Sequence, residues 1–209
     1  KANLSITASN DSKTYGDTKT YGVGSVAFIA SGLQNGETIG SVTITDTNSG
    51  GLSTAAAGGT YYLTPSLATG GTFNAGNYNT ISYNTGSLTV NKANLSITAS
   101  NDSKTYGATT TAGGIVYSSG SASGVTTGYS VSGLVAGDTI SSITLSSTGA
   151  LATAGVGSSP YGITPSALLG STRVTSTNYT ISYNTGSLTV NKANLSITAS
   201  NDSKTYGDT

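Results

Sequence analysis

Residues 1–16, KANLSITASNDSKTYG, recur unchanged at residues 92–107 and again at 192–207. A second stretch, TISYNTGSLTVNKANLSITAS, occurs twice, beginning at Thr80 and Thr180. Identical stretches of this length arise by duplication, so the unit of folding is one repeat. The repeats start 91 and 100 residues apart, a spacing typical of a small domain and too long for most solenoids. The sequence predicts one module over residues 1–91, a second over 92–191, and the first strand and turn of an incomplete third over 192–209. Such a chain is expected to be a window from a longer protein.

The composition argues against several classes of function. The chain has no Cys, Met, Trp or His, and its eight Lys and Arg balance eight Asp and Glu. Without a basic surface we expect no nucleic-acid partner, and without Cys and His we expect neither a transition-metal site nor any other cofactor. No apolar run is long enough to span a bilayer, and Lys1 does not begin a signal peptide. The single Glu and the absence of a base that could activate Ser argue against an enzyme.

The distribution of apolar residues predicts an all-β fold. Leu4, Ile6 and Ala8 alternate with polar residues, the period-2 pattern of a half-buried strand, and a turn follows at residues 10–12. Further strands are predicted at residues 26–30, 42–45, 60–64, 78–83 and 87–90, and at 129–132, 143–145, 161–164, 179–183 and 187–190. The only helix candidates are short turns at residues 32–39 and 133–140. The strand count favours small immunoglobulin-like β-sandwich modules in an elongated tandem array, with β-grasp-like modules as the alternative.

Local patterns add four finer predictions. The stretch ISYNTGSLTV is expected to form a hairpin, with Gly186 at positive φ in its turn. Asn79 is an extra residue relative to the second module, which predicts a β-bulge or a strand start at Tyr78. Ten additional residues between Gly107 and Ser132 predict a longer hairpin or loop in the second module. Residues 193–209 lack the rest of their module and are expected to be poorly packed.

The joints between modules contain no flexible linker. Only a few residues separate the last strand of one module from the first strand of the next, and none of them is Gly or Pro. The apolar positions also change parity, from Leu88 and Val90 to Leu95 and Ile97, so one extended segment would serve two successive cores. The joint residues are Asn91, Lys92, Ala93 and Asn94, and Asn191, Lys192, Ala193 and Asn194. This pattern predicts a stiff rod.

The chain contains KANLSITASNDSKTYGD, followed by SGL-x-x-G-[DE]-T-I and later by NYTISYNTGSLTVNKA. In this order these motifs resemble the MBG/YDG-type repeat modules of large bacterial surface and secreted adhesins, such as filamentous-haemagglutinin-like proteins. The resemblance covers both modules, apart from Ala108 in place of Asp17 and the lack of a Pro after the motif. It implies repetitive extracellular stalks and no catalytic activity. The matching residues are Lys13, Tyr15, Gly16, Gly36, Glu37, Asn77 and Tyr78 in the first module, and Lys104, Tyr106, Gly107, Gly137, Asp138, Asn178 and Tyr179 in the second.

Three kinds of site deserve comparison with plain structural roles. Asn10, Asp11 and Asp17 supply oxygens that suit calcium, although capping of a turn explains them as well and no metal is expected. The recurring lysines Lys13 and Lys104 suggest an ion pair with Glu37 and Asp138, or an isopeptide crosslink to an Asn. The tyrosines suggest a glycan-binding platform. Tyr83, Tyr179 and Tyr183 are better explained as sheet-packing residues, whereas Tyr21, Tyr61, Tyr117 and Tyr129 are freer to be exposed.

Together these observations predict a non-enzymatic structural repeat that forms the rigid stalk or fibre of a bacterial adhesin, at the cell surface or in a secreted matrix. Its partners would be further copies of the repeat in the same chain, and no membrane insertion is expected. One alternative is an adhesive module that binds surface glycans or proteins through tyrosine-bearing loops. Another is a matrix fibre in which neighbouring chains associate laterally through unprotected edge strands.

Overall fold

The computed structural model describes residues 1–111, 113–115 and 121–209, of which residues 121–124 are described by backbone alone. Within this part of the chain the regular structure consists of β-strands and short 3-10 turns, without an α-helix. The strands of the first repeat are β1 (Ala2–Ala8), β2 (Asp11–Thr14), β3 (Phe28–Ser31), β4 (Ile39–Thr47), β5 (Tyr61–Gly71), β6 (Tyr78–Asn84) and β7 (Gly86–Asn91). Those of the second are β8 (Ala93–Ala99), β9 (Asp102–Thr105), β10 (Ser121–Val125), β11 (Tyr129–Ser132), β12 (Ser142–Ser146), β13 (Tyr161–Leu169), β14 (Tyr179–Asn184) and β15 (Gly186–Asn191). The all-β prediction is confirmed.

Both helix candidates are tight turns instead. In the first repeat the N–H of Glu37 donates to the carbonyl of Gln34 at 2.8 Å, across Asn35 and Gly36, which both have positive φ. In the second repeat the corresponding turn has positive φ only at Gly137. The helix that would have supported a β-grasp-like module is therefore absent from residues 32–39.

The first repeat is a sandwich of two sheets around one core. One sheet has the order β3-β1-β6, with β1 antiparallel to β3 and parallel to β6, and the other has the order β2-β7-β5-β4. Alternation along the strands turns one side chain in two inward. The shared core consists of Leu4, Ile6, Ala8, Val42, Ile44, Leu63, Tyr78 and Leu88. Burying each large aliphatic side chain contributes about 1.5–3 kcal/mol, so this core is the main source of stability.

The strands of the second repeat form a sheet of order β11-β8-β14 and another of order β10-β12-β13-β15-β9. The predicted insertion falls partly on residues 112 and 116–120, which lie outside the described residues. Its described part includes β10, which pairs antiparallel with β12. The insertion therefore adds a strand to the edge of a sheet.

The chain divides into two compact units by its contacts. Unit 1 consists of Lys1–Ile97, Ser130–Ser142 and Leu168–Asn184, and unit 2 of Thr98–Tyr129, Ile143–Ala167 and Thr185–Thr209. Unit 1 thus combines the whole first repeat with the segments of the second repeat that build the β11-β8-β14 sheet.

The predicted hairpin ISYNTGSLTV is wrong. In both repeats its two strands belong to different sheets, β6 with β1 and β7 with β5, or β14 with β8 and β15 with β13. Neither Gly86 nor Gly186 has positive φ. A Cβ on Gly86 would lie 2.5 Å from the carbonyl oxygen of Ala8, and one on Gly186 would lie 2.5 Å from that of Ala99. Glycine is therefore required by a close backbone approach where the chain crosses between sheets.

Other local predictions divide between correct and wrong. The bulge at Asn79 is confirmed, because the β1·β6 register passes from Tyr78 directly to Thr80. The turn predicted at residues 10–12 is instead the start of β2, which pairs in parallel with β7, and β9 pairs likewise with β15. Residues 193–209 form no strand and are exposed throughout, as their expected poor packing requires.

Candidate functional site

Residues 14–17 of the first repeat form a tight turn, here named the YG turn, whose counterpart in the second repeat is residues 105–108. The N–H of Asp17 donates to the carbonyl of Thr14 at 3.0 Å, and Gly16 has a φ of +96°. A type II turn needs positive φ at its third residue, which glycine adopts without steric cost. The N–H of Tyr15 donates to the carbonyl of Asn91 at 2.8 Å. The YG turn is therefore fastened to the last strand of its own repeat.

Lys13 supports the YG turn from inside the protein. Its side chain is buried, and its ammonium donates to the carbonyls of Asp17 at 2.9 Å and Leu52 at 2.5 Å. Lys104 makes the equivalent bonds to Ala108 at 2.9 Å and to Leu151 at 2.5 Å. Burial lowers the pKa of both ammonium groups, although the carboxylates of Asp17 and Asp46 oppose this for Lys13.

The predicted ion pairs of these lysines with Glu37 and Asp138 are wrong. Among the described residues the ion pairs are Lys19 with Asp11 and Arg173 with Asp138. The two buried ammonium groups bind backbone carbonyls, and neither is bonded to an Asn side chain as an isopeptide crosslink would require. Lys13 and Lys104 therefore fasten loops within their own repeats.

The acid of the GL-x-x-G-[DE]-T motif pairs with a tyrosine in each repeat, and we name this arrangement the acid–tyrosine pair. Asp138 accepts a hydrogen bond from the hydroxyl of Tyr179 at 2.6 Å, and Glu37 accepts one from the hydroxyl of Tyr78. Each tyrosine hydroxyl also accepts the backbone N–H three residues before the acid, at 3.1 Å in both repeats. The pair is thus built within a single repeat and is the same in both.

Within unit 1, the YG turn of the first repeat meets the acid–tyrosine pair of the second. The hydroxyl of Tyr15 donates to the carboxylate of Asp138, 3.2 Å from Oδ1 and 2.9 Å from Oδ2. The rings of Tyr15 and Tyr179 meet edge to face, with centroids 5.4 Å apart and planes at 74°. The carboxylate of Asp138, whose side chain is 1% exposed, has the guanidinium Nε of Arg173 at 3.7 Å. One buried charge therefore gathers two hydroxyls and one cation, which satisfies it.

The surroundings of the carboxylate make both hydroxyls harder to ionise. Burial, and then the hydrogen bond to Asp138, raise the pKa of Tyr15 above its ordinary value, and the same causes raise the pKa of Tyr179. Both groups therefore stay protonated and keep donating well beyond neutral pH. This arrangement holds segments together.

Asn178 and Gly16 also take part in the contact between the first and second repeats within unit 1. The side-chain oxygen of Asn178 accepts the N–H of Ala57 at 3.1 Å, and its backbone carbonyl accepts the N–H of Ala93 at 2.9 Å. A Cβ on Gly16 would lie 2.6 Å from a methyl carbon of Val135. The two surfaces thus approach so closely that only glycine fits at position 16.

The strands on either side of the joint are nearly continuous. Lys92 alone separates β7 from β8. Leu88 and Val90 are buried before it, and Ala93 and Leu95 after it, which confirms the change of parity. The equivalent joint residues at the end of the second repeat, Lys192, Ala193 and Asn194, are exposed and outside any strand, beyond Asn191 at the end of β15.

The calcium candidates serve as turn and loop acceptors. Asn10 accepts the N–H of Ser87 at 2.8 Å, and Asp17 accepts that of Thr14 at 3.1 Å. Burial opposes ionisation of Asp11, yet hydrogen bonds led by that from Lys19 lower its pKa. The described residues include no group of three acidic side chains placed to hold a metal ion.

The tyrosines are distributed differently from the prediction. Tyr21 and Tyr61, which the sequence leaves freer to be exposed, are half-buried, and their hydroxyls donate to Asp11 and to the carbonyl of Ala56. Tyr129 is also half-buried, and Tyr117 lies outside the described residues. Tyr183, expected to pack in the sheet, is 41% exposed. The described tyrosines of this group, Tyr21, Tyr61 and Tyr129, are therefore less exposed than a glycan-binding platform would require.

Three contributors to the contact were missed by sequence reasoning. Val135 and Ala57 carry no signal, because each is a small apolar residue in a loop. Arg173 had one available signal, since it is the only arginine in the chain. A single strong cation in a sequence so poor in charge is a candidate partner for a buried acid.

The fold and this contact define an all-β repeat module that contains a tyrosine turn and an acid–tyrosine pair. The family model of the MBG domain, YGX type, matches residues 95–189, in agreement with the resemblance seen in the sequence. MBG domains are typical of surface proteins and suggest an extracellular, adhesin-type module. No curated protein and no solved structure matches the chain. Among the described residues, no helix is long and apolar enough to cross a membrane.

Proposed function

We propose that this chain is a non-enzymatic part of the stalk of a bacterial surface adhesin, in which successive modules are joined without a hinge. The observation that carries the proposal is the joint in unit 1. Lys92 is the only residue between two strands, and Tyr15 and Asp138 bond across the same junction. A swivelling joint would have to break that buried, charge-assisted hydrogen bond, which costs about 1.5–3 kcal/mol.

The parallel pairing of β2 with β7, the last strand of the repeat, supports a load-bearing role. β2, near the start of the first repeat, runs parallel to β7 at its end, with Asp11 beside Leu88 and Thr14 beside Asn91. Tension along the chain pulls these two strands in opposite directions. The ladder is therefore loaded in shear, and its hydrogen bonds must yield together. β9 and β15 repeat this parallel pairing in the second repeat.

Solution X-ray scattering of the 209-residue chain tests the proposal. A single compact globule of this length has a radius of gyration of about 17 Å, whereas two modules of about 13 Å placed end to end give about 22 Å. We expect the larger value, unchanged between low and high salt. A value near that of one globule, or a distribution of sizes typical of a swivelling pair, would contradict a hingeless stalk.

A further inference from the structure

The surface that Tyr15 uses in the first repeat is also present in the second repeat, but there it is open. The N–H of Tyr106 donates to the carbonyl of Asn191 at 2.8 Å, as that of Tyr15 does to Asn91. Gly107 has a φ of +90°, close to the +96° of Gly16. The side chains differ sharply in exposure, since Tyr15 is 2% exposed and Tyr106 is 49% exposed. The second YG turn therefore has the same backbone geometry as the first, with its tyrosine exposed.

An apolar cleft lies beside Tyr106 in unit 2. It has a volume of about 510 Å³ and is lined by Tyr106, Val156, Lys192, Ala193, Asn194 and Leu195. The same sequence at the first joint is covered, because Ala93 is 6% exposed and Leu95 is 1% exposed. Leu195, in contrast, is 83% exposed. The cleft thus corresponds to a surface that unit 1 fills with protein.

The complementary surface recurs in the first repeat. Glu37 accepts from the hydroxyl of Tyr78, and that hydroxyl accepts the N–H of Gln34 at 3.1 Å, the pattern seen at Asp138 and Tyr179. Glu37 is half-buried, whereas Asp138, covered by Tyr15, is buried. The first acid–tyrosine pair is therefore already assembled and still accessible.

We propose that Glu37 and Tyr78 form a docking site for the YG turn of another copy of this module, and that Tyr106 with its cleft forms the opposite half of the same contact. The occupant is a tandem copy of the repeat, because unit 1 holds such a contact between the first and second repeats. The inference rests on the proposed stalk and gives it a defined chemistry: one tyrosine hydroxyl on one carboxylate at each joint. Each module would then carry a donor end and an acceptor end.

A chain extended by one module tests this inference. Residues 192–209 repeat residues 1–18, so adding a copy of residues 19–91 after Thr209 completes a further module with an unchanged junction. Tyr206→Phe is included in both the original and the extended chain, because its tryptic peptide would otherwise match that of Tyr15. The probe is nitration by tetranitromethane, followed at Tyr15 and Tyr106 by peptide mass spectrometry.

We expect nitration of Tyr106 to slow about tenfold or more in the extended chain, toward the rate of Tyr15, since reaction would then require opening of the joint. Glu37→Lys in the added copy should restore the fast rate, with circular dichroism confirming that this copy folds. Equal nitration of Tyr106 in both chains, with Tyr15 protected, would overturn the inference, and so would rapid nitration of Tyr15 itself. Scattering of the same extended chain separates the two proposals. An elongated particle with a reactive Tyr106 leaves the stalk standing and removes only the docking chemistry.

Discussion

Removing the hydroxyl of Tyr15 should measure how much its hydrogen bond at the joint contributes to the free energy of unfolding. Tyr15→Phe keeps the ring, and with it the edge-to-face contact with Tyr179, but deletes the hydroxyl that donates to Asp138. A hydrogen bond to a charged group contributes about 1.5–3 kcal/mol. The upper part of that range applies here because the carboxylate side chain is only 1% exposed and loses a donor that water cannot replace.

The matched control is Tyr106→Phe. Tyr106 stands in the same turn with the same preceding residues, but its side chain is 49% exposed. Deleting a solvated hydroxyl should change the free energy of unfolding by less than about 0.5 kcal/mol. The two variants therefore differ in the contact and in little else.

Urea unfolding followed by circular dichroism provides the assay. With a slope of about 2 kcal/mol per molar urea, a loss of about 2.5 kcal/mol lowers the midpoint of the affected transition by about 1.2 M. Adding Tyr15→Phe to an Asp138→Asn background should cost much less than in the wild type, because the charged acceptor is already gone. Equal midpoints for Tyr15→Phe and Tyr106→Phe would refute the argument that Tyr15 is docked.

Three further predictions follow from the same surfaces. Gly16→Ala should lower the free energy of unfolding in urea by about 1–3 kcal/mol more than Gly107→Ala does. Both substitutions place alanine at a strained positive φ, but only the Cβ at position 16 would press against Val135. Equal losses in the two variants would contradict the close approach of Gly16 to Val135. Lys13→Met should lower the free energy of unfolding by about 1–3 kcal/mol, because it leaves two carbonyls without a donor. Lys204→Met, on the exposed copy of the turn, should change it by less than about 0.5 kcal/mol. A Lys13→Met variant as stable as the wild type would show that the ammonium is dispensable. The pKa of Tyr15 is raised above the ordinary value of 10.0, so its contribution is complete below about pH 10 and is lost as the pH rises further. Midpoints measured from pH 8 to 11 should fall more steeply in the wild type than in Tyr15→Phe, and parallel curves would contradict this.

The alternation of apolar residues predicted most of the fold, because a half-buried strand records its inner face directly in the sequence. Leu4, Ile6 and Ala8 were assigned in this way and are buried. Strand β2 was not predicted, because its four residues, DSKT, are all polar and the side chain that it turns inward is Lys13. Its parallel pairing with β7 joins segments far apart in the chain, and local pattern carries no information about such pairing.

The hairpin prediction was wrong for a different reason. Two apolar strands separated by a glycine-containing link satisfy the rules for a hairpin, yet the same link also lets a chain cross between the sheets of a sandwich. The contact between the repeats was also only partly predictable, because local motifs marked its residues but not their pairing. Tyr15, Asp138 and Tyr179 were all marked by motifs, but the hydrogen bond between Tyr15 and Asp138 spans 123 positions. Sequence offered a lysine as the natural partner for the acid and had no means of showing that backbone carbonyls already held that lysine.

The enclosure of Lys13 and Lys104 bears on how such a chain resists digestion. Trypsin must draw several residues around a lysine or arginine into its own cleft, in an extended form free of other bonds. The chain has only eight such residues, and Lys13 and Lys104 lie in strands β2 and β9 with their own side chains buried. Cleavage there requires that β2 or β9 first leave its sheet, so the rate of attack at these two lysines depends on how readily the strand opens.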